Sequence, residues 1–131
     1  MTGSLLRKVD CVSLPVSDLA AALAFYRDQL GHPLIWRTST AAGLRLPESE
    51  AKLVLHTEPR PAAAELLVEA VADAVSRFRN AGGTLVLGPF DIQIGKCAVV
   101  RDPWGNQLML LDMSKGPLRT DADGNALERS G

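Results

Sequence analysis

Residues 10–31 read DCVSLPVSDLAAALAFYRDQLG, and this stretch decides the fold. Its first half alternates apolar with polar residues, the apolar ones being Val12, Leu14 and Val16. This period of two predicts a strand with one buried face. In the second half, apolar residues follow the spacing of one helix face, at Leu19, Leu23 and Tyr26. Ser17 or Asp18 can cap the start of this helix, and Gly31 can end it.

The same pattern returns after a shift of 52 residues, where residues 62–83 read AAAELLVEAVADAVSRFRNAGG. The shift places Leu14 on Leu66 and Tyr26 on Phe78. A repeat of this length indicates two copies of one structural unit. Each copy is followed by three short extended runs, at 34–39, 44–46 and 52–57, and at 84–87, 95–100 and 107–112.

These elements predict an α+β fold made of two tandem βαβββ modules, residues 8–58 and 63–113, within a single domain 1–113. One helix covers only one face of a four-stranded sheet, so the other face needs a second layer. We therefore expect curved mixed sheets around a cleft. The proline-containing junction near residues 58–63 separates the modules. The polar residues 114–131 are expected to form a loose terminus or an arm.

Composition excludes several classes of protein. The hydrophobic fraction is 47% and the net charge is −1, which gives no extended field for nucleic acid. No apolar run approaches the ~20 residues that a membrane span needs, and the N-terminus does not read as a secretory signal. The two cysteines form no disulfide framework. We expect a cytoplasmic protein.

Three stretches resemble the vicinal oxygen chelate superfamily, which includes glyoxalase I, the bleomycin resistance proteins and the extradiol dioxygenases. They are residues 10–19, residues 25–31 (FYRDQLG) and residues 101–106 (RDPWGN). The resemblance implies the paired βαβββ fold and a homodimer with ligand sites near the subunit boundary. It does not select an activity, because one fold carries many functions.

The resemblance also implies four positions for metal ligands, one on the first and one on the last strand of each module. In this chain those positions hold Cys11, Val54, Ala63 and Met109. Val and Ala have no donor atom, and thiol or thioether sulfur does not suit the hard divalent ions used by this superfamily. We therefore predict no metal cofactor. A displaced divalent site built from His56, Glu65 and Cys11 is the alternative.

The predicted ligand-binding residues line the strand faces that would border the cleft. They are Cys11, Ser13, Trp36, Val54, His56, Glu65, Phe90, Gln107, Met109 and Leu111. We expect Phe90 to lie in a loop bordering the pocket, and Met109, Leu111 and Gln107 to form its floor. Trp104 is interpreted as a hydrophobic lid on the sheet edge.

Two of these residues are candidate catalytic groups. His56 can act as a base because imidazole titrates near neutral pH, although a partly solvated position at a strand end beside Glu58 is the preferred interpretation. Glu65 can act as an acid or base if it is buried, or it can simply reach solvent. His32 is expected to be a solvated loop residue.

Three functional hypotheses follow. The first is a metal-free binding module that holds an apolar or aromatic small molecule, similar to the bleomycin resistance proteins and so connected with antibiotic resistance. A net charge of −1 does not favour bleomycin, a cationic drug. The second is a glyoxalase-like lyase or isomerase, or a dioxygenase, with a displaced or absent metal. The third is a structural or regulatory protein whose cavity is filled by Met109, Leu111 and Leu67.

Overall fold

The computed structural model describes residues 3–126, which form eight strands and two α-helices. The strands are β1 (Lys8–Pro15), β2 (Leu34–Arg37), β3 (Ala41–Arg45), β4 (Lys52–His56), β5 (Ala63–Leu67), β6 (Thr84–Ile92), β7 (Gly95–Arg101) and β8 (Gln107–Leu111). The helices are α1 (Leu19–Leu23), which continues as a π-helical segment (Ala24–Gln29), and α2 (Val71–Asn80). The order βαβββ occurs twice, so the predicted α+β class is confirmed.

Two compact units contain these elements, and their limits differ from the predicted modules. One comprises residues 10–62 with 119–126, and the other comprises residues 3–9 with 63–118. We call them the first and the second unit. No helix in the described part of the chain is both long enough and apolar enough to span a membrane.

The first unit is a mixed four-stranded sheet in the order β2-β3-β4-β1. β1 runs parallel to β4, whereas β2–β3 and β3–β4 are antiparallel. Helix α1 packs on one face of this sheet through a buried cluster of Leu19, Ala22, Leu23, Ala42, Leu44 and Leu55. Leu14 and Val16 pack against the same cluster, as predicted, but Val12, the third residue of the predicted buried face, is 39% exposed.

Helix α1 starts where the sequence predicted. Asp18 is the N-cap, and its carboxylate accepts a hydrogen bond from the Ala21 N–H at 3.1 Å. After Leu23 the backbone widens into the π-helical segment. Tyr26 still packs on the core, but Phe25 is 50% exposed and meets Tyr26 edge-to-face at 5.0 Å. Phe25 therefore extends outward from the helix.

The second unit repeats the arrangement with the order β5-β8-β7-β6. β5 is parallel to β8, and the β7–β8 and β6–β7 pairs are antiparallel. Helix α2 packs on a separate buried cluster of Val68, Val71, Ala74, Val75, Ala98, Val100 and Leu110. These positions keep the apolar character of their counterparts in the first unit, as the repeat predicted.

Helix α2 has a different cap from α1. Its N-cap residue, Ala70, has no side chain that can accept a hydrogen bond. Instead, the Asp112 carboxylate, which follows β8, accepts from the Val71 N–H at 2.9 Å. It also accepts from the Lys96 N–H and from the N–H and hydroxyl of Ser114. Asp112 thus ties the start of α2 to the ends of two strands.

The pKa of Asp112 reflects this environment. The side chain is buried, with 3% of its surface exposed, and burial by itself raises the pKa. The hydrogen bonds from Val71, Ser114 and Lys96 favour the charged form and outweigh burial, so the pKa lies below its ordinary value.

The C-terminal segment is more ordered than the expected loose terminus. Residues 119–126 belong to the first unit and reach its edge strand, where the Arg37 N–H donates to the Gly124 carbonyl and the Ala126 N–H donates to the Arg37 carbonyl. Asp121 accepts from the Asp123 N–H and the Asn125 N–H, which closes the turn. The segment is an arm, the second of the two predicted alternatives, and covers the β2 edge. Residues 127–131 lie outside the described part.

Candidate functional site

The first unit carries most of the predicted polar site residues on the sheet face away from α1. Cys11 and Ser13 on β1, and Val54 and His56 on β4, alternate with residues that pack on the helix. All four are buried, with exposed fractions of 2%, 0%, 7% and 0% respectively. The structure therefore brings these four predicted residues together on one face.

His56 differs from its preferred interpretation. The partly solvated position at a strand end is wrong, because the side chain has no exposed surface. β4 lies between β1 and β3 in the sheet, so the last residue of this strand is still flanked on both sides. His32 is partly buried rather than fully solvated, and its Nδ1 lies 3.1 Å from the Arg45 carbonyl.

Arg60 belongs to the same face, and sequence reasoning missed it. Its Nη1 donates to the Ser13 hydroxyl oxygen at 3.3 Å, and its Nε donates to the Glu58 carboxylate at 2.8 Å. The side chain is 26% exposed. The proline-rich junction was interpreted as a linker only, and the one available signal was a basic residue between Pro59 and Pro61. The contact with Ser13 spans 47 residues, so no local pattern reveals it.

Trp36 provides the aromatic part of this face. It is half-buried on β2 and pairs with Gly43 on β3. A Cβ atom added to Gly43 would overlap the Trp36 indole, so the ring covers the glycine. The absence of a side chain at residue 43 is what allows the indole to lie against the sheet.

The second unit presents a mainly apolar surface on the corresponding face. Ala63, Cys97, Val99 and Met109 form a buried cluster, and Phe90 and Ile92 pack against it. Phe90 lies inside β6 and pairs with Cys97, so its predicted placement in a loop is wrong. β6 continues through Gly88 and Pro89 with irregular register instead of ending at residue 87.

The remaining predicted residues of the second unit occupy different environments. Glu65 pairs with Met109 across β5 and β8 and is partly buried. Leu111 is buried, with 2% of its surface exposed. Gln107 is partly buried, and its side-chain oxygen lies 3.5 Å from an Arg101 guanidinium nitrogen, so it pairs with a surface arginine.

Trp104 does not act as a lid. It is 84% exposed at the tip of a turn in which the Asp102 carboxylate accepts from the Trp104 N–H and the Asn106 N–H. The proposed role of this residue as a cover on the sheet edge is therefore wrong, because the turn holds the indole away from the protein surface.

The donor set at the four implied ligand positions does not fit a hard divalent metal. Val54 and Ala63 supply no donor atom, and Cys11 and Met109 supply only sulfur. Within residues 3–126, no three His, Cys, Asp or Glu side chains are grouped so that they could hold a metal ion.

Comparison with solved structures gives the same fold. Methylmalonyl-CoA epimerase from Mycobacterium tuberculosis has a TM-score of 0.70 and 21% identity, and the match covers 87% of this chain and 93% of that chain. A methylmalonyl-CoA epimerase in complex with methylmalonyl-CoA and NH4+ has a TM-score of 0.69 and 16% identity, with 87% and 100% covered. At these identities the likeness establishes the fold alone.

A larger protein also contains a similar region. A variant of homoprotocatechuate 2,3-dioxygenase from B. fuscum has a TM-score of 0.61 and 24% identity, and the match covers 95% of this chain but only 34% of that chain. A search of curated protein sequences finds no match to this chain.

A sequence profile agrees with these structures. The profile described as Glyoxalase/Bleomycin resistance protein/Dioxygenase superfamily matches residues 8–110, which include both copies of the repeat. The match confirms the resemblance that residues 10–19, 25–31 and 101–106 carry. This chain belongs to the Glyoxalase/Bleomycin resistance protein/Dioxygenase superfamily.

Proposed function

We propose that this protein binds a small, largely apolar or aromatic molecule and does so without a metal ion. The observation that carries the proposal is the character of the four implied ligand positions. Cys11, Val54, Ala63 and Met109 are all at least nine-tenths buried, and together they offer no oxygen or nitrogen donor. On each unit, side chains of this kind suit apolar contact, which is the main source of affinity in small-molecule sites.

The surrounding side chains support this proposal. Phe90 and Ile92 pack on the second unit's cluster, and Trp36 supplies an aromatic surface on the first unit. The mode of action would resemble that of bleomycin resistance proteins, which is sequestration rather than chemistry. We further propose that the protein is cytoplasmic and forms a homodimer. Size-exclusion chromatography with light scattering would test the oligomeric state.

Elemental analysis of untagged protein, purified without chelator, tests the metal-free part. We expect less than about a tenth of an equivalent of Mn, Fe, Ni or Zn per chain, because the donor set does not suit these ions. About one equivalent of any of these metals would overturn the proposal. Equilibrium binding of N-phenyl-1-naphthylamine, a neutral apolar fluorophore, tests the pocket, and failure to bind would count against the binding function itself.

An enzyme of the same fold is the second candidate, and the burial of His56 favours it. An imidazole without exposed surface, on the same face as Ser13, could act as a base without a metal. Assays on glutathione hemithioacetals, methylmalonyl thioesters and catechols, with and without added Mn or Ni, test this candidate. Turnover that disappears in a folded H56N variant would support it, and inactivity on all three substrates would remove it.

A further inference from the structure

An open groove lies between the N-terminal segment of the second unit and helix α2. Its volume is about 430 Å³, and small-molecule sites commonly measure about 300 to 1,000 Å³. Its walls are formed within residues 3–7 and 69–77, all of which belong to the second unit. None of these residues is among the predicted ligand-binding residues. The groove is therefore separate from the strand faces considered above.

Small side chains at the start of α2 leave this groove open. Ala70 and Ala74 line it together with Leu5, which packs against the buried cluster under the helix. The Arg7 N–H donates to the Leu67 carbonyl at 2.9 Å, and this bond holds the N-terminal segment against the unit. Because Ala74 is buried and Ala70 and Leu5 are partly buried, the three side chains form an apolar floor.

Four charged side chains surround this floor, and their charges cancel. Arg7 and Arg77 are cationic, Glu69 and Asp73 are anionic, and all four residues are exposed. A guanidinium nitrogen of Arg7 lies 3.8 Å from a carboxylate oxygen of Glu69. This distance is longer than a hydrogen bond, so the ion pair is loose. The rim thus offers both hydrogen-bond donors and charged acceptors to a molecule in the groove.

The charges along α2 are not part of the repeated fold. After the shift of 52 residues, their counterparts in the first unit are uncharged: Ser17 for Glu69, Ala21 for Asp73 and Phe25 for Arg77. Both helices pack on their sheets through buried apolar residues, so packing does not require the charges. The charged rim therefore belongs to this groove alone.

The spacing of two rim charges indicates the kind of molecule that fits. Asp73 and Arg77 are four residues apart, so they lie on the same face of α2 with their Cβ atoms about 5 to 6 Å apart. Exposed ion pairs between such neighbours are weak, and a ligand can replace them. A ligand that carries an ammonium and a carboxylate on one carbon can reach both side chains at once.

We propose that this groove binds a free α-amino acid with an apolar side chain. Its carboxylate accepts charge-assisted hydrogen bonds from Arg77, and its ammonium donates to Asp73. Its side chain lies on the floor formed by Leu5, Ala70 and Ala74, where it loses contact with water. The proposal adds a second site to the molecule and does not depend on the function proposed above.

Three related ligands separate the contacts. L-leucine carries both charges, 3-methylbutylamine lacks the carboxylate, and N-acetyl-L-leucine lacks the ammonium. Amide chemical shifts of ¹⁵N-labelled protein measure each dissociation constant and show where the ligand binds. We expect L-leucine to shift amides within residues 3–7 and 69–77. Each analogue should bind about threefold to fivefold more weakly, because each lacks one exposed charge contact.

Substitutions of the rim should mirror the ligand series. We expect R77Q to weaken L-leucine binding by about threefold to fivefold and to leave 3-methylbutylamine unchanged. D73N should weaken L-leucine binding similarly and leave N-acetyl-L-leucine unchanged. R79Q also removes a charge from the exposed surface of α2, but Arg79 does not line the groove, so this matched control should bind all three ligands as the native protein does.

Several results would overturn the proposal. One is the absence of shifts at these amides up to the solubility limit of L-leucine, and another is equal affinity for the three ligands. An effect of R79Q equal to that of R77Q would show that only the overall charge matters. Leucyl-leucine carries the same two charges farther apart, and tighter binding of this dipeptide would assign the groove to peptides rather than to free amino acids.

Discussion

The two units carry equivalent rows of residues across their sheets, and the chemistry of the rows differs. In the first unit the row is Trp36, Gly43, Val54 and Ser13. In the second unit the residues at the same strand positions are Leu87, Val99, Met109 and Glu65. The helix-facing residues, in contrast, are apolar in both units. The repeat has therefore kept the residues that pack on the helices, and the opposite faces have diverged in chemistry.

The helices show a second difference between the units. α1 is capped by Asp18 within its own first turn, whereas α2 is capped by Asp112 from beyond the last strand of its unit. Asp112 also binds Lys96 and Ser114, so it connects three segments. The first turn of the helix is thus capped by a neighbouring residue in the first unit and by a residue distant in sequence in the second unit. We therefore expect removal of the two caps to have unequal effects on stability.

Removing the Asp112 carboxylate should have the largest effect on stability. D112A leaves the buried N–H group of Val71 and the partly buried N–H group of Lys96 without their acceptor, so we expect the free energy of unfolding to fall by about 3 kcal/mol. Urea unfolding followed by circular dichroism measures this change. A loss below about 1 kcal/mol would show that Asp112 is no more important than an ordinary cap.

The dependence of stability on pH should report the same carboxylate. Because the folded-state pKa of Asp112 is lowered, its contribution is present above the unfolded-state value of about 3.9 and is lost as the pH falls through the lower folded-state pKa. We expect stability to fall in this acidic window and D112N to reduce the slope there. Equal slopes in the native and D112N proteins would contradict this assignment.

Adding one methyl group to the first unit's row should have the next largest effect. G43A places a Cβ atom where the Trp36 indole lies, so we expect the ring to move and stability to fall by about 2 kcal/mol. Trp36 emission should shift to longer wavelength, while Trp104, already 84% exposed, contributes a constant background. The equivalent position of the second unit is Val99, so only the first row depends on a glycine. Unchanged emission would contradict the placement of the indole.

Removing the local cap of α1 should cost less than removing Asp112. D18A deletes one exposed hydrogen bond to Ala21, and we expect a loss of about 1 kcal/mol. The same urea titration gives the value, with S17A as the control because Ser17 makes no capping bond to α1 in the structure. A loss as large as that of D112A would mean that the two caps are equivalent.

Ending the chain at Leu118 should have the smallest effect on stability. It removes the arm that covers the β2 edge, and the backbone hydrogen bonds to Arg37 are replaced by hydrogen bonds to water at a cost of about 1 kcal/mol or less. The Arg37 amide should exchange its hydrogen faster, and self-association should increase because a strand edge is uncovered. Unchanged exchange at Arg37 would contradict the placement of the arm.

Local patterns predicted the elements of this fold well and its site only in part. The alternation around Leu14 and Val16 and the cap at Asp18 depend on neighbours within a few residues, and both predictions are confirmed. The burial of His56 and the strand position of Phe90 depend on flanking strands, and both predictions were wrong. Ligand binding by the ten predicted residues stays a prediction.

The amino-acid sequence by itself determined the repeat, the order of its elements and the superfamily, because periodicity and turn residues act over short distances along the chain. It also determined which donor atoms are missing at the four implied metal positions. Only the tertiary structure decided that Arg60 meets Ser13 and that Trp36 covers Gly43. It likewise decided that Asp112 caps a helix 41 residues away in sequence. Such contacts join residues on different strands and loops, and only strand register and packing bring those residues together.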